Sequence, residues 1–503
     1  MSLIFWRRAR RVVQALAFLG ALALVILTTR HAWRGIGADT LMHLDPLAGL
    51  AAMLAARRWL GRFILGLGLL ALTLLAGRFW CGWLCPVGTL LDWIGPRRRR
   101  QAPAPRTPWR RVKYGLLFVI LFAALWGNLT LLVLDPITLF VRTVGTVILP
   151  GVNWLVVQAE GALYRLPWLV EAIAKGDSAL QGTLLSYKQP HYAGVALLGA
   201  VFAGILLLNL WAPRAWCRYF CPLGGLYALV SKVSWLKRKV SPACVRCGAC
   251  ERGCPMGTVD SARAYASDSG ECTLCLDCAV ECPKGAISFG GDVRPSLGWP
   301  YDPSRRQALG MLAASIGGVA LLKIGARENH PHPYRLRPPG AEEETLLSRC
   351  IRCGACLRAC PSHGLQPALA EAGLEGVWTP ILVPRLGPCE YSCHTCGQVC
   401  PTGAIPRLSL KEKRLTPIGK AYIDPALCIA WSGRGPCIVC EEMCPLPQKA
   451  ITLVERPAGT AEQPITLQAP VVNHERCIGC GLCEFKCPVQ GEAAIRVRID
   501  PMG

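Results

Sequence analysis

The chain has 503 residues, 52% of them hydrophobic, yet its formal net charge is +23. That length exceeds what one hydrophobic core supports, so several domains are expected. Apolar runs flanked by clustered basic residues suit a membrane protein with basic loops and argue against a nucleic-acid-binding face.

Four long apolar segments come first, at Val12–Thr29, Leu60–Gly77, Tyr114–Leu134 and Tyr192–Ala212. Each is about long enough to cross a bilayer core of roughly 30 Å. Arg7, Arg8, Arg10 and Arg11 precede the first, and Arg97 to Arg100, Arg106, Arg110, Arg111 and Lys113 lie between the second and third. Lys237, Arg238 and Lys239 follow the fourth, and these three basic segments are expected on the cytoplasmic side. Arg30, Arg34, Arg57 and Arg58 weaken that contrast without reversing it.

This region repeats internally. "HLDPL" at His43–Leu47 returns as "VLDPI" at Val133–Ile137, and "WCGWLCPVG" at Trp80–Gly88 returns as "WCRYFCPLG" at Trp216–Gly224. Each unit reads helix, LDP turn, helix, cysteine pair. The second carries an insert, about residues 140–191, expected as helices on the outer surface.

The next stretch is rich in cysteine, of which the chain has 28. Cys244, Cys247, Cys250 and Cys254 precede Pro255, and Cys272, Cys275, Cys278 and Cys282 precede Pro283. Both follow the bacterial ferredoxin spacing, in which the fourth cysteine ligates the other cluster. Cys282 is therefore expected to complete the first site and Cys254 the second. A zinc site or a disulfide scaffold does not call for this doubled, interleaved run.

"SRRQALGMLAA" follows, with Arg305 and Arg306 before a short apolar run. It has the form of a twin-arginine export signal, and a basic helix flank is the plain alternative. A retained fifth crossing here would carry a folded, cluster-bearing domain to the outer face.

The C-terminal region has four further runs: Cys350, Cys353, Cys356, Cys360; Cys389, Cys393, Cys396, Cys400; Cys428, Cys437, Cys440, Cys444; and Cys477, Cys480, Cys483, Cys487. Each ends in C-x2-C-x3-C-P. The atypical first gaps of the two middle runs, one residue longer than standard in the second and much longer in the third, favour a nested pairing, first with fourth and second with third; sequential pairing is the rival. Six [4Fe–4S] clusters are implied, leaving Cys81, Cys85, Cys217 and Cys221 outside the runs.

The expected fold class is an α-helical membrane domain of four spans, plus a twin-arginine-like fifth, with two α+β bacterial-ferredoxin-like domains. Residues 1–240 form the membrane domain, 241–300 a cytoplasmic two-cluster domain and 301–326 the signal or anchor. Residues 327–347 form a linker and 348–503 a periplasmic four-cluster domain.

By "CGWLCP", "CRYFCP", the four spans and the two ferredoxin runs, the first 290 residues resemble NapH, the membrane quinol dehydrogenase subunit of periplasmic nitrate reduction. From about residue 302, "SRRQALG" and four cluster runs resemble its exported partner NapG, so the chain looks like the two fused. MauN and MauM, NosR and membrane proteins of organohalide respiration are related by the same motifs. The resemblance implies a multi-pass protein of the bacterial inner membrane that passes electrons from the quinol pool, through clusters, to a periplasmic redox enzyme or cytochrome. No nucleic-acid partner is expected. A maturation factor that reduces a metal or thiol on a partner redox enzyme is the alternative.

His31, His43, Asp45 and Asp135 are the polar candidates for a quinol site, because ionisable residues near membrane depth carry a functional expectation. The bland reading is turn-forming Asp-Pro and interfacial histidine. Cys81, Cys85, Cys217 and Cys221 are the candidate catalytic thiols. They are expected to converge about a pseudo-twofold axis, as a metal or cluster site, a redox dithiol centre or a structural turn.

Overall fold

The computed structural model describes residues 3–29, 37–95, 108–166, 168, 170–180, 185–186, 188–291, 305–323, 333–369, 371–460 and 463–499. Two compact units divide the chain: Met1–Ile26, Ile36–Val147 and Val195–Leu321 in one, Leu27–Gly35, Ile148–Gly194 and Leu322–Gly503 in the other.

The helices follow the repeat. The first half holds α1 (Leu3–Ile26), α2 (Ala38–His43), α3 (Pro46–Ala56), α4 (Ile64–Ala76), α5 (Phe79–Trp83) and α6 (Pro86–Ile94). The second holds α7 (Val112–Leu125), α8 (Pro136–Thr143), α9 (Leu149–Leu163), α10 (Val170–Leu180), α11 (Val195–Trp211) and α12 (Pro222–Ser231). Where α5 stands in the first half, a π-helical turn, Trp216–Phe220, stands in the second.

The helix starts are written locally. Asp45 and Asp135 are the N-caps of α3 and α8, each followed by a proline at the first helical position. Cys85 and Cys221 take the same N-cap position on α6 and α12, again before proline. The Asp-Pro and Cys-Pro pairs are thus one device used four times: chain turned, helix begun, a side chain held at its amino end. In the first unit α12 packs on α7, α4 and α3, while α6 packs on α1, α11 and α8.

Among the described residues, two helices are long and apolar enough to cross a membrane, Ile4–Ile26 and Pro136–Leu163. The other expected spans are shorter: α4 has 13 residues, α7 has 14 and α11 has 17. The Leu60–Gly77 run opens with a 3-10 turn at Gly61–Phe63, and the Tyr114–Leu134 run is broken where Gly127 adopts a φ of 76°. Apolar composition continues across these breaks, so a reading by composition joins what the backbone divides. The insert is helical, as expected, in α9 and α10. It begins inside the Pro136–Leu163 stretch, and its residues from Ile148 onward belong to the second unit.

The first ferredoxin fold pairs β1 (Leu236–Val240) with β4 (Ile287–Gly291) and β2 (Val259–Asp260) with β3 (Ala266–Ser267). Its short helices, α13 (Ala249–Arg252) and α14 (Asp277–Val280), follow the two cysteine loops. This fold is tied to α1 in the same unit by Arg7 Nε, 3.0 Å from Asp277 Oδ1. The twin-arginine segment is helical, α15 (Arg305–Lys323); the "IGA" of a possible cleavage point, Ile324–Ala326, lies outside the described residues.

In the second unit, paired strands Leu365–Pro367 with Pro380–Leu382, Lys420–Ile423 with Ile495–Arg498, and the hairpin Ile451–Thr460 with Gln463–Val472 frame the cysteine loops. Of the linker expected at 327–347, residues from Pro333 onward bond within this fold, and 327–332 lie outside the described residues. Ile499 N–H bonds Pro333 O at 2.8 Å, and Arg337 holds Glu343 through two bonds of 2.6 Å. The charges of this proline-rich stretch pair with each other, Arg335 and Arg337 with Glu343. The insert packs here too: Tyr192 OH donates to Leu357 O at 3.2 Å and Gln366 Nε2 to His191 O at 2.8 Å.

Candidate metal centres

The ferredoxin cysteines gather as interleaved sets. One cavity is lined by Cys244, Cys247, Cys250 and Cys282, and a second by Cys254, Cys272, Cys275 and Cys278. That is the exchange of fourth cysteines read from the spacing. In the second unit one cavity is lined by Cys350, Cys353, Cys356 and Cys400, another by Cys428, Cys437, Cys440 and Cys487. Cys396 lies within electrostatic range of Cys389, Cys393 and Cys360, and Cys480 of Cys477 and Cys444.

Pairing in the C-terminal region is therefore sequential, first run with second and third with fourth, which corrects the nested expectation. The irregular first gaps have a local cause. Cys428 opens a tight turn, its carbonyl accepting Ser432 N–H at 2.8 Å, before the chain returns at Cys437. Gap length there reports the loop, not the partner. Cys389 N–H donates to Cys480 O at 2.8 Å, which joins the second and fourth runs.

These sets suit cubanes by their donors: four thiols around one cavity, three from one run and the fourth from its partner run, just past that run's short helix. Among the described residues, no three His, Cys, Asp or Glu side chains are spaced to hold a single metal ion. A cubane keeps its thiolates on separate corners, so wide spacing is what it requires.

Four models of iron–sulfur proteins match the chain: a 4Fe-4S binding domain over residues 58–103 and 191–242, a 4Fe-4S dicluster domain over 349–404, a second dicluster model over 264–361, and a 4Fe-4S binding domain over 470–490. The methylamine utilization ferredoxin-type protein MauM of Methylorubrum extorquens is 38% identical over 208 residues, which is 39% of this chain and 90% of that protein. The chain belongs to the NapG/MauM ferredoxin-type family. The ferredoxin-type protein NapG of Escherichia coli is 37% identical over 38% of this chain and 84% of its own length. A putative electron transport protein of the same organism, YccM, is 30% identical over 42% of this chain and 51% of its own length. No solved structure gives a significant match. As a NapG/MauM-type ferredoxin, the protein is an iron–sulfur electron-transfer protein.

The remaining four cysteines do converge. Cys81, Cys85, Cys217 and Cys221 are all buried, and Cys221 interacts electrostatically with each of the other three. Cys221 Sγ also accepts Gly224 N–H at 3.2 Å.

Two arginines that the sequence reading passed over complete the arrangement. Arg78 and Arg214 each stand three residues before a cysteine, in "RFWC" and "RAWC", and both are fully buried. Each reaches across to the other repeat. Arg78 Nη2 lies 4.0 Å from Cys81 Sγ and 3.0 Å from where a Cβ on Gly224 would sit. Arg214 Nη1 donates to Cys81 O at 3.1 Å and Nη2 to Gly88 O at 3.5 Å. Arg78 pairs with Glu271 at 2.8 Å, a carboxylate shared with Lys113. Arg214 grips Asp92 with two bonds, of 2.6 and 2.7 Å, and Arg10 shares that carboxylate. Each of the two arginines thus shares one carboxylate with a second cation, Arg78 with Lys113 at Glu271 and Arg214 with Arg10 at Asp92. The signal was the repeat itself, extended three residues upstream.

The candidate acids meet as well. Asp45 Oδ1 accepts from Leu47 N–H (3.0 Å) and Ala48 N–H (3.2 Å), and Asp135 Oδ2 from Ile137 N–H (2.9 Å) and Thr138 N–H (3.0 Å). The second oxygen of each carboxyl, Asp45 Oδ2 and Asp135 Oδ1, is buried and finds no donor among the described residues, and the two carboxyls lie within electrostatic range of each other. Two carboxyl oxygens can bond only across a shared proton. Both residues are fully buried. Tyr227 of α12 is within electrostatic reach of this pair and of Cys81 and Cys85. His43 stacks edge-on against Phe63, ring centres 5.5 Å apart. His31 lies outside the described residues.

Proposed function

We propose that the chain is the membrane-bound iron–sulfur component of a quinol-oxidising system. It would take electrons from quinol and relay them through six [4Fe–4S] clusters to a periplasmic redox enzyme or cytochrome. The observation that carries the reading is the sorting of cysteines: two interleaved sets in the first unit, and sets shared between consecutive runs in the second. Sets of this kind suit one-electron relays, and the clusters supply that chemistry when bound.

In this reading the protein spans the inner membrane several times, α4, α7 and α11 crossing as short helices beside the two longer ones. Basic flanks keep the first ferredoxin domain cytoplasmic, and Arg305 and Arg306 direct the second to the periplasm. Each quinol yields two electrons and two protons. We assign His31, His43, Asp45 and Asp135 to that proton chemistry, with Asp45 and Asp135 holding one proton between them. Cys81, Cys85, Cys217 and Cys221 are assigned to the electron path.

The test uses oxidised, anaerobically purified protein in detergent. Adding a reduced quinol analogue with no other donor should bleach the visible cluster absorbance, and a quinone-site inhibitor should stop it. No bleaching in a sample with its clusters assayed would overturn the reading. One observation favours a second, a maturation factor reducing a metal or thiol on a partner: the buried thiol quartet stands outside every ferredoxin run. That reading expects stoichiometric reduction of the partner without sustained quinol turnover.

A further inference from the structure

We propose that one side chain, Arg238, is shared by the two clusters of the first ferredoxin fold and raises the reduction potential of both together. In the sequence it is the middle of a basic flank, Lys237–Arg238–Lys239. Lys239 Nζ turns out to Gly291 O at 2.7 Å, but Arg238, paired across the sheet with Phe289, turns in. Its side chain lines both cysteine cavities, that of Cys244, Cys247, Cys250 and Cys282 and that of Cys254, Cys272, Cys275 and Cys278. It lies within electrostatic range of Cys250 in the one and of Cys272 and Cys278 in the other. Nη1 donates to Tyr265 O at 2.6 Å, while Nε and Nη2 are buried and find no acceptor among the described residues. A guanidinium is always charged and only donates, and buried donors need partners. Cluster sulfur is the acceptor that both cavities would supply.

The direction follows from charge. A reduced cluster is one charge more negative than an oxidised one, so a nearby cation and hydrogen bonds to its sulfur both favour reduction. Among the described residues, Arg238 is the one charged side chain lining the second cavity; Arg246 and Lys284 join it at the first, and no acidic side chain lines either. Asp277 acts on Cys275 from outside that lining, and Arg7 at 3.0 Å and Arg10 at 4.0 Å hold it. Arg218 stands within electrostatic range of Cys254. Arg352 shows the purely structural use of the same side chain. It too lines a cluster cavity, but Nε, Nη1 and Nη2 bond the carbonyls of Val377, Cys350 and Glu375 at 3.1, 2.8 and 2.7 Å. Arg238 gives the backbone one nitrogen and keeps two. The proposal rests on the cluster assignment of the reading above and not on its quinol donor, so the two fail separately.

The experiment titrates full-length holoprotein anaerobically with dithionite, which supplies one electron at a time, and reads each cluster's potential by electron paramagnetic resonance. C244S/C247S and C272S/C275S mark which signals belong to the first fold. Arg238→Met should lower both of those potentials, leave those of the second unit where they are and keep its iron. Arg238→Lys, which restores the charge, should recover most of the shift. Unmoved potentials in a methionine variant with full iron would overturn the proposal, and a shift at one cluster alone would overturn the sharing. If that variant loses its clusters, Arg238→Gln, which can still donate to Tyr265 O, takes its place. The wild type gives a reading that needs no variant. With arginine labelled by heavy nitrogen in the guanidinium, the reduced cluster at Cys272, Cys275 and Cys278 should show a nitrogen coupling. Its absence sinks the proposal whether or not any substituted protein folds.

Discussion

At Asp45 the side chain does two jobs with its two oxygens. One caps α3, and the other lies buried within electrostatic range of Asp135. Asparagine can do both without a shared proton, because its amide donates where the proton stood. Asp45→Asn should therefore unfold in detergent at nearly the wild-type temperature. Asp45→Ala should cost about 1 kcal/mol for the cap alone. Equal loss in both variants would show that the charge, not the bonding, is what matters. Glu343 offers a separate test outside the repeat. Burial pushes its carboxyl up, but the Arg337 and Arg335 guanidiniums outweigh that and hold it below the ordinary glutamate range. A depressed carboxyl stabilises the fold at pH above its unfolded value, and the gain is lost as pH falls through the folded value. Glu343→Gln should cost about 1 kcal/mol at neutral pH, a modest figure because the pair is partly open to water. The gap from wild type should close as the solution is made acid below the glutamate range.

At the scale of elements, spacing carried most of the reading. The first two runs have the standard gaps, and their exchanged fourth cysteines, Cys254 and Cys282, stand where spacing put them. The C-terminal pairing was not legible, because which loops adjoin is a matter of tertiary packing that gap lengths do not encode. A substitution separates the two pairings: Cys400→Ser should empty the site of Cys350, Cys353 and Cys356, and nested pairing would empty another. Cluster-by-cluster redox spectroscopy reads the difference. The arginines of "RFWC" and "RAWC" were in plain sight, yet a lone basic residue at the end of an apolar run reads as a flank. Only the fold reveals that Arg78 and Arg214 turn inward, each toward the other half. Helix lengths failed for a different reason: apolar residues on either side of a backbone break look continuous in sequence.

At the scale of the whole molecule, two units are threaded by one chain that passes between them more than once. The insert from Ile148 onward shares a unit with the C-terminal ferredoxin fold. If the C-terminal fold is exported, export depends on the arginine pair that begins α15. Replacing Arg305 and Arg306 with lysine should abolish activity of alkaline phosphatase fused after Gly503, while the wild-type fusion is active. Full activity in the lysine variant would point to export by another route.

The crossed arginines bear on how such a protein can change over generations. Each half of the repeat supplies a cation to the other half's turn, at Gly88 and at Gly224. Deleting one cysteine motif would strand a guanidinium in the remaining half, far from water and beside a carboxylate already shared. The two copies are therefore bound to a common fate: a lineage keeps both, or it must rebuild the centre from the charges outward.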